Sequence, residues 1–203
     1  LVSPIPPDYL GGTTSIKRYD TDLAKAKQLL KEAGLEKGFT LKQVITEMSD
    51  YRRPMEQIQA QFRRVGIDMQ MDVITHSAYH QQIRKDVNPL VLYVCARFPT
   101  ADPILTQFYH SKSTVGTPTG ITNFSHYDKI DELIEQARRE TQGENQKQLW
   151  ATAQQKILED AVAYPFCITK FVFARKDYVD LGYEMKSTLT LVDTIKWNTR
   201  ILE

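Results

Sequence analysis

Between residues 20 and 95 the apolar positions switch repeatedly between two periods. In DTDLAKAKQLLKEAG, 20–34, Leu23, Ala26, Leu29, Leu30 and Ala33 recur at helical spacing, with Asp20 or Thr21 placed to cap the start and Gly34 to stop it. FTLKQVI, 39–45, alternates as a strand. The next helix is expected to have Pro54 in its first turn, an apolar stripe of Met55, Ile58, Phe62 and Val65, and Gly66 as its stop. IDMQMDVI, 67–74, alternates again, and a short helix over 77–85 leads into an apolar strand at 90–95. Two further helices carry Ile130, Leu133, Ile134 and Ala137, then Leu149, Trp150, Ala153 and Ile157. All these helical stripes are assigned to the core. PFCITKFVFAR, 165–175, reads as a strand, and 176–203 as loop and strand with Trp197 near its end. Pro4, Pro6, Pro7, Gly11 and Gly12 make 1–19 an extended connecting segment with no core of its own.

Strand–helix–strand–helix–strand is the order of an α/β fold, a mixed sheet of mainly parallel strands with helices on both faces. In such sheets ligands sit beyond the carboxyl ends of strands. Those ends read TEMSDY, THSAYH and ARFPTADP, a lining of hydroxyl, carboxylate, imidazole, aromatic and guanidinium groups suited to a small solute. The last is the most pointed: an apolar run ends by presenting Arg97 in a loop stiffened by Pro99 and Pro103. The bland expectation for Arg97 is an ion pair with Asp102 across that loop.

Charge and composition narrow the field. With 26 basic and 25 acidic residues the net charge is +1, which argues against a nucleic-acid partner. No apolar run approaches the roughly 20 residues of a membrane span. The chain opens on Leu1 without a signal peptide, as expected of a mature product or an excised piece, so compartment is not read from its start. Cys95 and Cys167 lie in apolar, strand-like runs and are expected as buried thiols, with a disulfide between adjacent strands left open.

His76 and His80 are four apart, the spacing of two imidazoles on one helical face, but no third ligand accompanies them, so no metal site is expected. No nucleophile elbow or phosphate-cradling loop occurs, and no catalytic residue or cofactor is expected. Glu47 and Asp50 near a strand end keep one alternative open, a stand-alone α/β hydrolase using loop carboxylates.

Several segments, in order, resemble the C-terminal part of the extracytoplasmic solute-binding proteins of the peptide, opine and nickel importers, bacterial solute-binding family five. YDTDLAKAKQLLKEAG is similar to that family's YDPEKAKALLAEAG element, and QIQAQFRRVGIDMQMDVI to its helix leading into a strand. FYHS, NFSHYDKIDELIEQARRET and LWATAQQKILEDAVAYPF resemble later elements. The resemblance implies a periplasmic binding protein-like II lobe: 1–19 as the connecting segment, 20–175 as the second lobe of a bilobal protein, and 176–203 as a return segment toward a first lobe outside this sequence. It implies a monomeric periplasmic binder that closes on a solute and delivers it to membrane permease subunits. In peptide binders of the family the loop after the third strand reads W-x-A-D-Y-P-D-P, its aspartate accepting the peptide ammonium. Here Ala96 and Pro99 match, Cys95 precedes them, Phe98 replaces the tyrosine, and Arg97 falls on the aspartate position. His76 falls on the family's tryptophan, with Tyr79 a turn on, while Thr46, Glu47 and Asn123 match other cleft positions. The implied solute is not an ordinary free-amino peptide but one with an anionic or oxygen-rich group.

Overall fold

The computed structural model describes residues 3–17, 19–120, 122–169, 172, 174–184 and 195–202. Its first half is a parallel strand pair wrapped by helices. Helix α1, Leu23–Glu32, starts where the Asp22 carboxylate accepts from the Lys25 backbone N–H at 2.8 Å. Its apolar stripe is not core, as expected from the pattern, but surface: none of its residues is buried and Leu29 is 51% exposed. Strands β1, Phe39–Thr46, and β2, Ile67–Ile74, pair in parallel from Phe39↔Ile67 to Thr46↔Ile74. Helix α2, Ser49–Arg63, joins them. It begins five residues before Pro54, which therefore stands inside the helix and not in its first turn. Pro54 cannot donate to the carbonyl of Asp50, and Asp50 is exposed, so water can take that bond. Helix α3, His76–Ile83, follows β2, with the Thr75 hydroxyl accepting from Ala78 N–H. Ile45, Tyr51, Met55, Met69, Tyr79 and Ile83 form the core of this half.

Residues 90–95 do not join the sheet as a third strand. The free edge of β1 is met by a side chain: Val44 N–H donates to Asn88 Oδ1 and Asn88 Nδ2 donates to Val44 O, both at 2.9 Å. The extended segment satisfies its own backbone with tyrosine hydroxyls. Tyr79 donates to Leu92 O at 2.8 Å, and Val94 N–H donates to the Tyr51 oxygen at 3.2 Å. Buried backbone groups need partners, but those partners need not be a ladder.

The second half is helical. Helix α4, Ala101–Tyr109, begins within the stretch expected as loop, which ends at Pro103, and continues through residues to which the pattern assigns no element. Pro103 lies in its first turn, where a missing N–H costs nothing. A 3₁₀ turn at Ser111–Ser113 leads on to α5, Asp131–Arg139, and α6, Gly143–Glu159. Ala101, Leu105, Ile130, Ile134, Ala137, Trp150, Ala153 and Ile157 pack together, and the segment before residue 20 lends Ile5 to them. Ala101 N–H, an orphan at the start of α4, donates to Leu10 O at 2.8 Å. Gly11, at φ +85°, passes where a Cβ would lie 2.7 Å from Ala101 Cβ and 2.8 Å from Trp150 Cδ1. Gln154 Nε2 holds its carbonyl at 2.8 Å. The described residues of 165–175 form no strand ladder. Further on, β3, Val179–Asp180, pairs antiparallel with β4, Arg200–Ile201.

Candidate ligand-binding site

The carboxyl ends of β1 and β2 and the segment 90–98 converge on a line of rings. Thr46 closes β1 fully buried; its Oγ1 accepts from Met48 N–H at 3.3 Å and lies 3.3 Å from His76 Nδ1. His76 opens α3, and its Nε2 is 3.1 Å from Nε2 of His80 one turn later. One of these nitrogens must carry the hydrogen and the other the lone pair, so the contact tolerates at most one extra proton. Burial first, then His76 and Arg84, hold the His80 pKa below the ordinary histidine value. The rings continue: Tyr51 to His76 at 5.4 Å, His76 to His80 at 4.5 Å, His80 to Tyr93 at 5.6 Å, and Tyr93 to Phe108 at 5.5 Å and Phe124 at 5.4 Å. Tyr79 lies beneath, fully buried, its hydroxyl pKa pushed well up by burial.

Arg97 ends the line. Its guanidinium carbon sits 5.6 Å over the Phe108 ring, Nη1 donates to Ala96 O at 2.7 Å, and Nε donates to Gln107 Oε1. The expected ion pair with Asp102 is absent. Asp102 instead takes Arg138 Nε at 2.8 Å and the Thr106 hydroxyl at 2.9 Å, because α4 turns its carboxylate toward α5. Among the described residues no carboxylate pairs with Arg97, and its Nη2 has no partner. The guanidinium is therefore fixed on three sides by neutral groups and keeps its positive charge uncompensated.

The sequence-expected residues divide accordingly. Thr46, His76, Tyr79, Ala96 and Arg97 belong to this line or its support. Phe98 borders it, 64% exposed. Glu47 is exposed; its backbone N–H donates to Ile74 O at 2.9 Å. Asn123 stands apart and fully buried, its amide donating to His110 O, Tyr127 O and Thr114 Oγ1. Cys95 and Cys167 correct an expectation: both are exposed free thiols, since among the described residues no strand pairs with their segments to cover them. Sequence inspection placed Tyr51 in the lining stretch TEMSDY but missed Tyr93, Gln107 and Phe108. Tyr93 at least stands in the apolar run at 90–95; nothing in the sequence marks Gln107. Two open grooves of about 520 and 500 Å³ run along α5, lined by Gln136 and Arg139 among others, and neither includes a strand-end residue.

Residues 1–115 match the model of bacterial extracellular solute-binding proteins, family 5. The chain belongs to that family. The dipeptide-binding protein of Escherichia coli (strain K12) is 27% identical over 166 residues, 78% of this chain and 30% of that protein. Among solved structures, MoaA from A. tumefaciens R10 in complex with mannopinic acid is 36% identical with a TM-score of 0.86, covering 99% of this chain and 41% of MoaA. DppA from Helicobacter pylori in complex with the peptide STSA is 28% identical with a TM-score of 0.71, covering 80% of this chain and 32% of DppA. These family 5 relatives share the periplasmic binding protein-like fold expected from the sequence. They are binding proteins, and the chain spans well under half of their length. Among the described residues no helix is long and apolar enough to cross a membrane.

Proposed function

We propose that this chain forms one lobe of a periplasmic, non-catalytic solute-binding protein that serves an ABC importer. Residues 20–175 form the lobe, 1–19 the connection into it, and 176–203 the return toward the other lobe. The whole protein works as a monomer, closes on its solute and passes it to the membrane permease subunits. The solute lies along the ring line, contacted by Arg97, Phe98, Cys95, Ala96, His76 and Glu47, with the buried Tyr79 and Thr46 supporting the line from beneath and Asn123 holding the neighbouring loop. It carries an anionic or oxygen-rich group, as a sugar acid, an opine or a phosphorylated sugar does.

One observation carries the choice of solute: Arg97 is held by Gln107, Ala96 O and Phe108, with no carboxylate against it among the described residues. A fixed guanidinium matches carboxylate or phosphate oxygens and repels an ammonium, more strongly once a closed cleft excludes water. The likeness to MoaA, solved with mannopinic acid, supports the same choice. Calorimetric titration of the full-length protein tests it. Mannopinic acid or gluconate should bind, and a free-amino dipeptide should bind at least tenfold more weakly. A preference for the dipeptide would overturn the proposed solute class.

A further inference from the structure

Gln107 holds Arg97 in a way that fixes the orientation of both side chains. Arg Nε is a donor only, so the Gln107 amide must turn its oxygen toward it and its NH₂ away. The backbone beneath is also fixed, since the Thr122 hydroxyl donates to Gln107 O at 2.6 Å. Helix α4 is further tied to α5 through Arg138, which reaches both Asp102 and Thr106. Among the described residues the Gln107 NH₂ has no partner, and neither does Arg97 Nη2. The amide nitrogen is bonded to the same carbon as the oxygen that grips the guanidinium, so the two unpartnered donor groups belong to one hydrogen-bonded pair of side chains.

We infer that Gln107 is a specificity-determining residue of this site: it orients Arg97 and adds its own amide donors, selecting carboxylic acids that carry a second oxygen acceptor close to the carboxylate. The inference rests on the proposed role of Arg97 as the anion receptor. A lone guanidinium recognises charge alone. The pair recognises charge together with an adjoining hydroxyl or second carboxylate, the pattern of polyhydroxy acids and of sugar–amino acid conjugates. The chemistry at Gln107 is directional. A glutamate there would still accept from Arg97 Nε, but it would neutralise the guanidinium and donate nothing.

Titration of the full-length protein with mannopinic acid, gluconate and gluconamide separates these roles. Gln107→Leu should lose about tenfold in affinity for the acid, the scale of one directed hydrogen bond. Gln107→Glu should lose more and abolish the preference for gluconate over its neutral amide, with the melting temperature close to that of the parent. Acid affinity and acid-over-amide preference unchanged in both variants, while Arg97→Ala loses the acid, would overturn the role of Gln107 and leave that of Arg97 standing. In Gln107→Leu, a loss for hexanoate, a carboxylic acid with no hydroxyl, as large as that for gluconate would do the same, marking Gln107 as a structural support. Failure of the parent protein to take either acid, or an Arg97→Ala variant that binds as the parent does, would remove the anion receptor and this inference with it.

Discussion

At the scale of single residues, the decisive facts are which polar atoms have partners. Arg97 was legible in the sequence as a guanidinium at a strand end, but its environment was not. Asp102, the acid nearest to it in sequence, bonds elsewhere, and Gln107, ten positions on, comes into reach only because the chain between them turns into α4. Arg97→Ala in the full-length protein should weaken binding of an acidic solute by about 1.5–3 kcal/mol, roughly ten- to a hundredfold. Arg97→Lys should recover part of that, since it restores the charge without the fork. Unchanged titration curves for Arg97→Ala would assign it a structural role only. The histidine pair was visible at its spacing of four, but the direct Nε2–Nε2 contact needed coordinates. A histidine whose pKa is lowered on folding binds its proton more readily when unfolded. Its stabilising contribution is therefore complete above about pH 6.5 and is lost as pH falls below that. For His80 the groups involved are His76 and Arg84 on its own helix and the rings of Tyr79 and Tyr93 against it. Thermal melts at pH 7 and pH 5.5 should show a drop at the lower pH that shrinks in His80→Gln. A drop of the same size in both proteins would count against this coupling.

Among elements, periodicity found the helices and the strand pair but not what each rests on. The stripe of α1 has helical spacing yet lies on the surface, because a pattern shows which face is apolar and not whether anything covers it. The run at 90–95 is apolar and extended as expected, but Asn88, Tyr79 and Tyr51 supply the hydrogen bonds that a ladder would have made. Helix α4 was hidden by Pro99 and Pro103, read together as loop, although proline within a first turn is compatible with a helix. The entry to the strand pair gives a sharp test. Gly38 and Gly66 immediately precede the first paired residues, Phe39 and Ile67, and a Cβ on Gly38 would stand 1.9 Å from the Gly66 carbonyl oxygen. Gly38 is also at φ +77°. Gly34 has a similar φ of +74° with nothing within 4 Å of its absent Cβ. Gly34→Ala should therefore cost about 1–2 kcal/mol, the left-handed backbone alone. Gly38→Ala adds a backbone collision and should cost about 1–3 kcal/mol more. Urea midpoints compare the two, and equal losses would mean that the Gly38–Gly66 approach relaxes freely.

For the molecule as a whole, the ring line joins what the two cores divide. Tyr93 packs against the strand-pair core and Phe108 against the helical core, and they meet at 5.5 Å. A solute laid along the rings would touch one wall only, and this chain covers 41% or less of the relatives with which it was compared. On the proposed bilobal arrangement, the 203-residue chain alone should bind the solute far more weakly than the full-length protein, because it cannot exclude water from the contact. Calorimetry on both with the same acid checks this, and equal affinities would sink the two-lobe proposal. Legibility at this scale came from the order of segments, which pointed to the family, whereas the docking of Ile5 and Gly11 into the helices had no sequence signal beyond a glycine. The same docking has an optical consequence. Of the two tryptophans, Trp150 is 3% exposed against Gly11 and Trp197 is 96% exposed. Their emission should separate into a blue, acrylamide-shielded component and a red, quenchable one. In a Trp197→Phe variant the remaining indole would report the seating of the first residues on α6, without any added label.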